Sequence, residues 1–177
     1  MGIRLSRDKA WEELSRAHTG ILTSLKADGT PITLPIWFVA LDRRVYFSAP
    51  ARTGKVARLR RNARCCFLVE SGTYWREMKA VLVTGQALEV GDGEARRRAR
   101  QALDAKYDAF RIKHADMPDP TRATYEREEP VMFGIVSDER ILTWLSGTHA
   151  FIAWADYRPG DRSGFLSSIP LSAFKHG

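Results

Sequence analysis

The clearest pattern in the chain is a strict alternation from Thr30 to Leu41. Ile32, Leu34, Ile36, Phe38 and Ala40 fall on one face, and Thr33, Pro35, Trp37 and Val39 on the other. That period of two marks a strand, and the first set is expected to be core. Pro35 has no N–H to give a ladder, so it belongs at an edge or bulge. Gly20 to Ala27 reads as the preceding strand. Asp28-Gly29 between them is a hairpin turn, because glycine accepts the positive φ of a tight turn. Asp42-Arg43 is a second turn, and Arg44 to Ala49 a third strand. Arg64 to Glu70 and Met78 to Val90 follow as the fourth and fifth. Gly85 within the fifth predicts a bulge or a close backbone approach. Val131 to Val136 is the sixth, with a turn expected at Ser137 to Arg140 before Ile141 to Leu145 continues or returns it.

Helical spacing occurs in three places. Ser6 to Ala17 has a Ser N-cap and turns Trp11 and Leu14 inward. Val56 and Leu59 mark an amphipathic helix after Pro50 and Gly54 break the strand pattern. Asp92 is expected to cap a third helix, whose stripe is Ala95, Ala99, Ala102, Leu103, Tyr107 and Phe110. His18 reads as a polar residue closing the first helix. Strands joined mostly by short turns, with helices after the third and fifth, predict a mainly β fold: a small antiparallel barrel with peripheral helices. No repeat or linker divides the chain, so residues 1–177 form one domain. Its core lies at about 18–145, followed by an irregular extension, 146–177. The polar loop from His114 to Glu129 is long enough for a lid or a dimer contact.

Charge changes the picture at one stretch. The chain carries 28 Lys+Arg against 21 Asp+Glu, a net charge of +7, which favours an anionic partner. Val45 to Asn62 concentrates that charge where a strand passes through a short turn into a basic helix. Unpaired N–H groups and the positive dipole end of a helix start suit a phosphate. Arg52, Thr53 and Lys55 are placed to complete such a site; a solvated basic helix is the plain alternative. The run Arg96, Arg97, Arg98 and Arg100 reads as a solvated helix face rather than a nucleic-acid patch.

Cys65 and Cys66 are the only cysteines. Neighbours on a strand point to opposite faces, so they cannot grip one metal together, and no second pair exists for zinc. The four histidines have no ligand spacing. No phosphate-binding glycine motif, nucleophile elbow or His-Glu-x-x-His is present. A hydrolase with a side-chain nucleophile is therefore disfavoured, and an enzyme here would rely on a bound cofactor. No apolar run approaches the about 20 residues of a membrane span. The N-terminus lacks an apolar signal core, giving a cytoplasmic expectation.

Several stretches occur together in order: His-Thr-Gly-Ile-Leu-Thr-Ser-Leu, Asp-Gly-Thr-Pro, Pro-Ile-Trp-Phe, Val-Tyr-Phe-Ser, Thr-Gly-Lys and Leu-Arg-Arg-Asn, then Lys-Ala-Val-Leu-Val-Thr-Gly-Gln-Ala from Lys79. This set, over about residues 18–145, resembles the pyridoxamine-5'-phosphate-oxidase-like split-barrel flavoproteins, and most of all their flavin/deazaflavin oxidoreductase branch. The resemblance implies a homodimeric split barrel that binds FMN or coenzyme F-420 at the dimer interface. Position by position, Lys55 matches the phosphate-binding lysine, with Thr53 and Arg52 in the preceding turn. Ser48 and Ala49 match the strand end along the ribityl chain. Pro35, Ile36 and Trp37 match the strand lining the ring system. Lys79 stands where many relatives have Arg and would reach across from the other subunit.

There are departures from the family pattern. Arg58 stands where the family often has Asn and adds a positive charge near the phosphate position. Ala63 replaces a Pro, and Trp144-Leu145 replaces a Trp-Asp ending. The substrate-binding Arg-x-His of true pyridoxamine-phosphate oxidases is missing, so that activity is not expected. The expectation is a flavin-type oxidoreductase that moves hydride to or from a small organic substrate, with no residue named as catalytic and no metal. The alternatives are a non-catalytic flavin-, deazaflavin- or haem-binding barrel and, disfavoured, a nucleic-acid-binding barrel.

Overall fold

The structure is a computed structural model, and residues 5–112, 116–120, 122 and 129–145 are described. The predicted tail and most of the His114 to Glu129 loop lie outside these residues. The elements in chain order are α1 (Arg7–Arg16), β1 (Thr19–Leu25), β2 (Pro31–Trp37), β3 (Val39–Leu41), β4 (Arg44–Pro50), α2 (Gly54–Arg61), β5 (Arg64–Ser71), β6 (Lys79–Glu89), α3 (Glu94–Tyr107) and β7 (Pro130–Leu145). Single 3-10 turns lie at Trp75–Glu77 and Asp108–Phe110.

The strands form one seven-stranded sheet in the order β2-β1-β5-β6-β7-β4-β3. All pairings are antiparallel. β2 and β3 are adjacent in sequence yet stand at opposite ends of that order. The sheet therefore curls until its two edges meet at Phe38, and the single strand expected from Thr30 to Leu41 is divided there. Phe38 is fully buried. Its backbone groups are taken up by α3: Tyr107 Oη accepts from Phe38 N–H at 2.9 Å and lies 2.8 Å from Phe38 O. Lys106 Nζ donates to Phe38 O at 3.0 Å and to Ala17 O at 2.7 Å. The end of one helix thus replaces the ladder bonds lost at the seam, as buried backbone groups require.

Inside the barrel, Leu22, Ile36, Phe38, Val45, Phe47, Phe67, Val81, Val83, Phe133 and Ile135 pack with Trp11 and Leu14 of α1. A second cluster lies under α3, where Ala99, Leu103 and Tyr107 cover Val39, Tyr46 and Met132. Ser6 caps α1 as expected, accepting from Lys9 N–H at 3.3 Å. Both predicted hairpin turns form, with Gly29 at φ 84° and Asp42 and Arg43 at φ 50° and 57°. The β6–β7 register shifts between Val83 and Gly85, and a Cβ at Gly85 would sit 2.0 Å from Val136 O. The predicted bulge and close approach are therefore both present.

Four expectations are corrected. The turn at Ser137 to Arg140 is not a chain reversal: β7 runs on as one strand, and the register against β6 shifts there, from Ser137 opposite Gly85 to Ile141 opposite Val83. The third strand continues through Pro50. Gly93, not Asp92, is the N-cap of α3, while Asp92 pairs with Arg96 at 3.6 Å one turn on. Leu34 and Phe110, assigned to buried faces, are exposed, because β2 is an edge strand and α3 stops before Phe110.

Candidate functional site

β4 ends at Pro50, and the chain turns tightly into α2. Thr53 N–H and Thr53 Oγ1 both donate to Pro50 O, at 3.1 and 3.0 Å. Thr53 is the N-cap but makes no side-chain cap bond. The first N–H groups of α2 have no acceptor within the helix, and no acidic residue lies in its first turn. Val56 and Leu59 bury one face of α2, fixing its position over the barrel end. The start of α2 thus presents a positive dipole end beside Lys55.

Arg58 reinforces that charge. A Cβ at Gly54 would lie 3.2 Å from Arg58 Nη1, so the guanidinium lies back along the first turn. Its Nε donates at 2.9 Å to Ser24 Oγ, and Ser24 is the one buried polar side chain among the described residues, 1% exposed. Burial, and secondarily the charge of Arg58, lowers the Lys55 pKa from its ordinary value. Among the described residues, neither Lys55 nor Arg58 has a carboxylate partner. The start of α2 therefore carries two neighbouring cations with no carboxylate to balance them, an arrangement whose chemistry suits an anion. Arg61 closes the same barrel end by donating to Leu25 O at 2.9 Å.

The other expected site residues distribute unevenly. Ser48 is exposed on β4, on the outer face and just before the turn. Arg52 is exposed within the turn itself. Ala49 and Ile36 point into the core, so only their backbone can line a site. Pro35 is exposed at the far end of the β2 edge, opposite Ile21. Trp37 is 40% exposed, and its ring stacks on Tyr107 at 4.6 Å and 3°. His18 packs edge-on against Phe110 at 4.6 Å and Tyr107 at 5.2 Å; no sequence signal joins these four rings, which come from the α1–β1 connection, β2, α3 and the 3-10 turn after it.

Lys79 lies away from α2 within one chain. It pairs with Ser71 in the β5–β6 ladder, whereas the α2 end of that ladder is Arg64 opposite Gln86. Seven residues of strand separate them, about 23 Å. Lys79 Nζ donates to Glu13 Oε1 at 3.2 Å. The cleft there, lined by Glu13, Arg16, Val69, Ser71 and Lys79, has a volume of about 100 Å³. That is small beside the roughly 300 Å³ at which small-molecule sites begin.

Cys65 is buried, and burial pushes its thiol up to about 12, so it is inert. The arginine run is only partly the solvated face expected: Arg96 binds Val90 O, Pro130 O and Glu129, and Arg98 binds Asp42 at 2.8 Å. These two arginines fasten α3 to the barrel. No helix of the described residues is long and apolar enough to cross a membrane, and no group of three or more metal-ligating side chains occurs among them.

Solved structures share the fold. A conserved hypothetical protein from Mycobacterium tuberculosis aligns at TM-score 0.66 and 23% identity, covering 82% of this chain and 88% of that one. An FAD-binding protein from Mesorhizobium loti aligns at TM-score 0.61 and 21% identity, covering 81% and 96%. A haem-binding protein from Mycobacterium smegmatis aligns at TM-score 0.57 and 14% identity, covering 81% and 60%. No curated protein matches the sequence. Residues 6–128 match the pyridoxamine 5'-phosphate oxidase family; with the curled seven-stranded barrel and its basic α2, the chain belongs to that family as one of its split-barrel proteins.

Proposed function

We propose that the protein is a flavin-type oxidoreductase that binds FMN or coenzyme F-420 as a homodimer, with the cofactor phosphate at the start of α2. The observation that carries this reading is the Lys55–Arg58 pair without a carboxylate, one member of which is braced on buried Ser24. Lys55 and the first-turn N–H groups of α2 hold the phosphate oxygens, and Arg58 screens the remaining charge. Thr53 and Arg52 shape the turn, and Ser48 lies along the approach from β4. Pro35 and Trp37 offer an apolar edge for a ring system, and Lys79 comes from the second subunit. When bound, a flavin or deazaflavin supplies the hydride chemistry. The protein's part is to bind, orient and exclude water. The extra cation at Arg58 leans toward the longer anionic tail of F-420.

The family membership and the FAD-binding relative support a flavin-type ligand. The haem-binding relative favours a second reading, a non-catalytic cofactor-binding barrel. Purified protein titrated with FMN, F-420 and haemin separates these. The proposal expects binding of FMN or F-420 at micromolar concentration and reduction of the bound cofactor by a chemical hydride donor. Tight haemin binding with no flavin or deazaflavin binding would transfer the site to the second reading.

A further inference from the structure

We infer that Ser24 and Gly54 are positioning residues: together they hold the Arg58 fork beside the first turn of α2, where it takes two oxygens of a bound phosphate alongside Lys55. This rests on the reading above and deepens it, turning Arg58 from a nearby charge into a direct contact. Ser24 is an unusual residue for its place in the strand. It shares the inward side of β1 with Gly20 and Leu22, is 1% exposed, and lies between Ile32 and Cys65 of the neighbouring strands. A hydroxyl buried there needs a hydrogen-bond partner. That partner is the Nε–H of Arg58, at 2.9 Å. Val56 and Leu59, buried in the core, fix the helix that carries Arg58. The guanidinium is thus tied to both a strand and a helix.

The bond occupies Nε and leaves the Nη1–Nη2 edge of Arg58 with no hydrogen-bond partner among the described residues. That edge is a planar fork, and it matches two oxygens of a phosphate. The other arginines of α2 are used differently. Arg60 is neutralised by Glu89 at 2.6 Å, and exposed Arg61 donates to Leu25 O at 2.9 Å. Arg58 is half-buried and stands beside a second cation, Lys55, whose pKa is lowered by burial and then by the charge of Arg58. Two cations in a half-buried place repel each other, and an anion bound between them removes that cost.

Gly54 contributes space. Its φ is not in the left-handed region, so the backbone has no need of glycine there, and alanine would favour the helix. A Cβ at this position would lie 3.2 Å from Arg58 Nη1, close enough to push the fork aside. The N–H groups of Gly54, Lys55 and Val56 precede the first helical bond, which Ala57 N–H donates to Thr53 O at 3.1 Å. The fork, these N–H groups and Lys55 border one place. The chemistry that fits it is a phosphoryl group with at least two unesterified oxygens, which FMN and F-420 both carry.

The test has two arms, both on the full chain. Without cofactor, the Arg58 Nε–H signal is followed by nitrogen-15 NMR and identified by its absence from Arg58→Met. It should exchange slowly, lose that protection in Ser24→Ala, and shift when inorganic phosphate is added to wild type. In the second arm, FMN, F-420 and riboflavin are titrated into each variant. Ser24→Ala, Gly54→Ala and Arg58→Met should each weaken the phosphorylated cofactor about fivefold or more and leave riboflavin unchanged. Ser24→Thr, which keeps the hydroxyl, should bind as wild type does. Ser24→Ala should have no further effect in an Arg58→Met background, because it acts through Arg58. Gly54→Ala should lose affinity while melting no lower than wild type, which a merely structural role would not produce. FMN and riboflavin weakening together in Ser24→Ala, or a Ser24→Ala loss that persists with Arg58→Met, would overturn the inference. Phosphate that shifts the Arg58 signal in a Ser24-dependent way, with neither FMN nor F-420 bound, would sink the functional reading alone. Selective binding of FMN or F-420 that ignores Ser24→Ala and Arg58→Met would sink this inference alone.

Discussion

Arg58 adds a second cation beside Lys55 at the start of α2. Its guanidinium folds back along α2 because Gly54 leaves room and Ser24 offers a buried acceptor. Tyr107 does comparable work for the fold. Its hydroxyl meets Phe38 N–H, and it lies 2.6 Å from His18 O and 2.8 Å from Phe38 O. Tyr107→Phe strips a buried N–H of its acceptor at the seam, and the cost should be about 1–3 kcal/mol. Urea unfolding with an unchanged slope would measure it. Lys106 beside it is half-buried, and burial lowers its pKa to about 8 from 10.5. Two carbonyls and the Phe38 ring, 4.3 Å away, favour its cation, but the loss of water outweighs them. From pH 8 to about 9 the unfolded chain then binds more protons at Lys106 than the folded one, so stability should rise with pH across that window. Below pH 8 the full cost remains. Above pH 9 Cys65, whose thiol burial pushes up to about 12, and then Tyr107, whose pKa burial raises, oppose the trend. Melting curves of wild type and Lys106→Met should diverge in slope between about pH 8 and 9, with the variant rising less steeply.

Among elements, β6 and β7 carry the sharpest constraint. The bulge at Gly85 exists because the backbone of β7 passes where a Cβ would be. Gly85→Val should therefore displace Val136 and Ser137, unfold the β6–β7 ladder and cost more than about 3 kcal/mol. Gly29→Ala, in open space but at φ 84°, should cost only about 1 kcal/mol. Thermal denaturation of both variants checks the ranking. The same elements show what could be read in advance. Asp28-Gly29, Gly85 and the Ser6 cap were legible because each is a local demand on φ, space or a hydrogen bond. The break at Phe38 was not, since alternation runs straight through it and the groups that compensate lie 69 residues away in α3. Ser137-Asp138-Glu139-Arg140 has turn-like composition and is where the β6–β7 register shifts, yet pairing on either side of it holds β7 in one strand. For the site, the α2 charges were legible from spacing. The bracing of Arg58 by Ser24 was not, because it depends on the barrel end closing. Ile36 had already been placed by its alternation on an inward face; it and Ala49 are both buried in the core, which limits them to backbone contacts.

At the scale of the molecule, the barrel leaves the cationic start of α2 without a carboxylate complement among the described residues, and the proposed function assigns that place to a phosphorylated cofactor. The claim at the centre of this account is that Lys55 holds a cofactor phosphate. Equilibrium titration of wild type and Lys55→Ala with FMN and F-420, with phosphate-free riboflavin as control, tests it most directly. Wild type should bind FMN or F-420 at micromolar concentration and favour it over riboflavin. Lys55→Ala should weaken that binding about tenfold or more, as loss of a charge-assisted bond requires, and leave riboflavin unchanged. Binding of neither cofactor by wild type, or equal binding by wild type and Lys55→Ala, would contradict the claim.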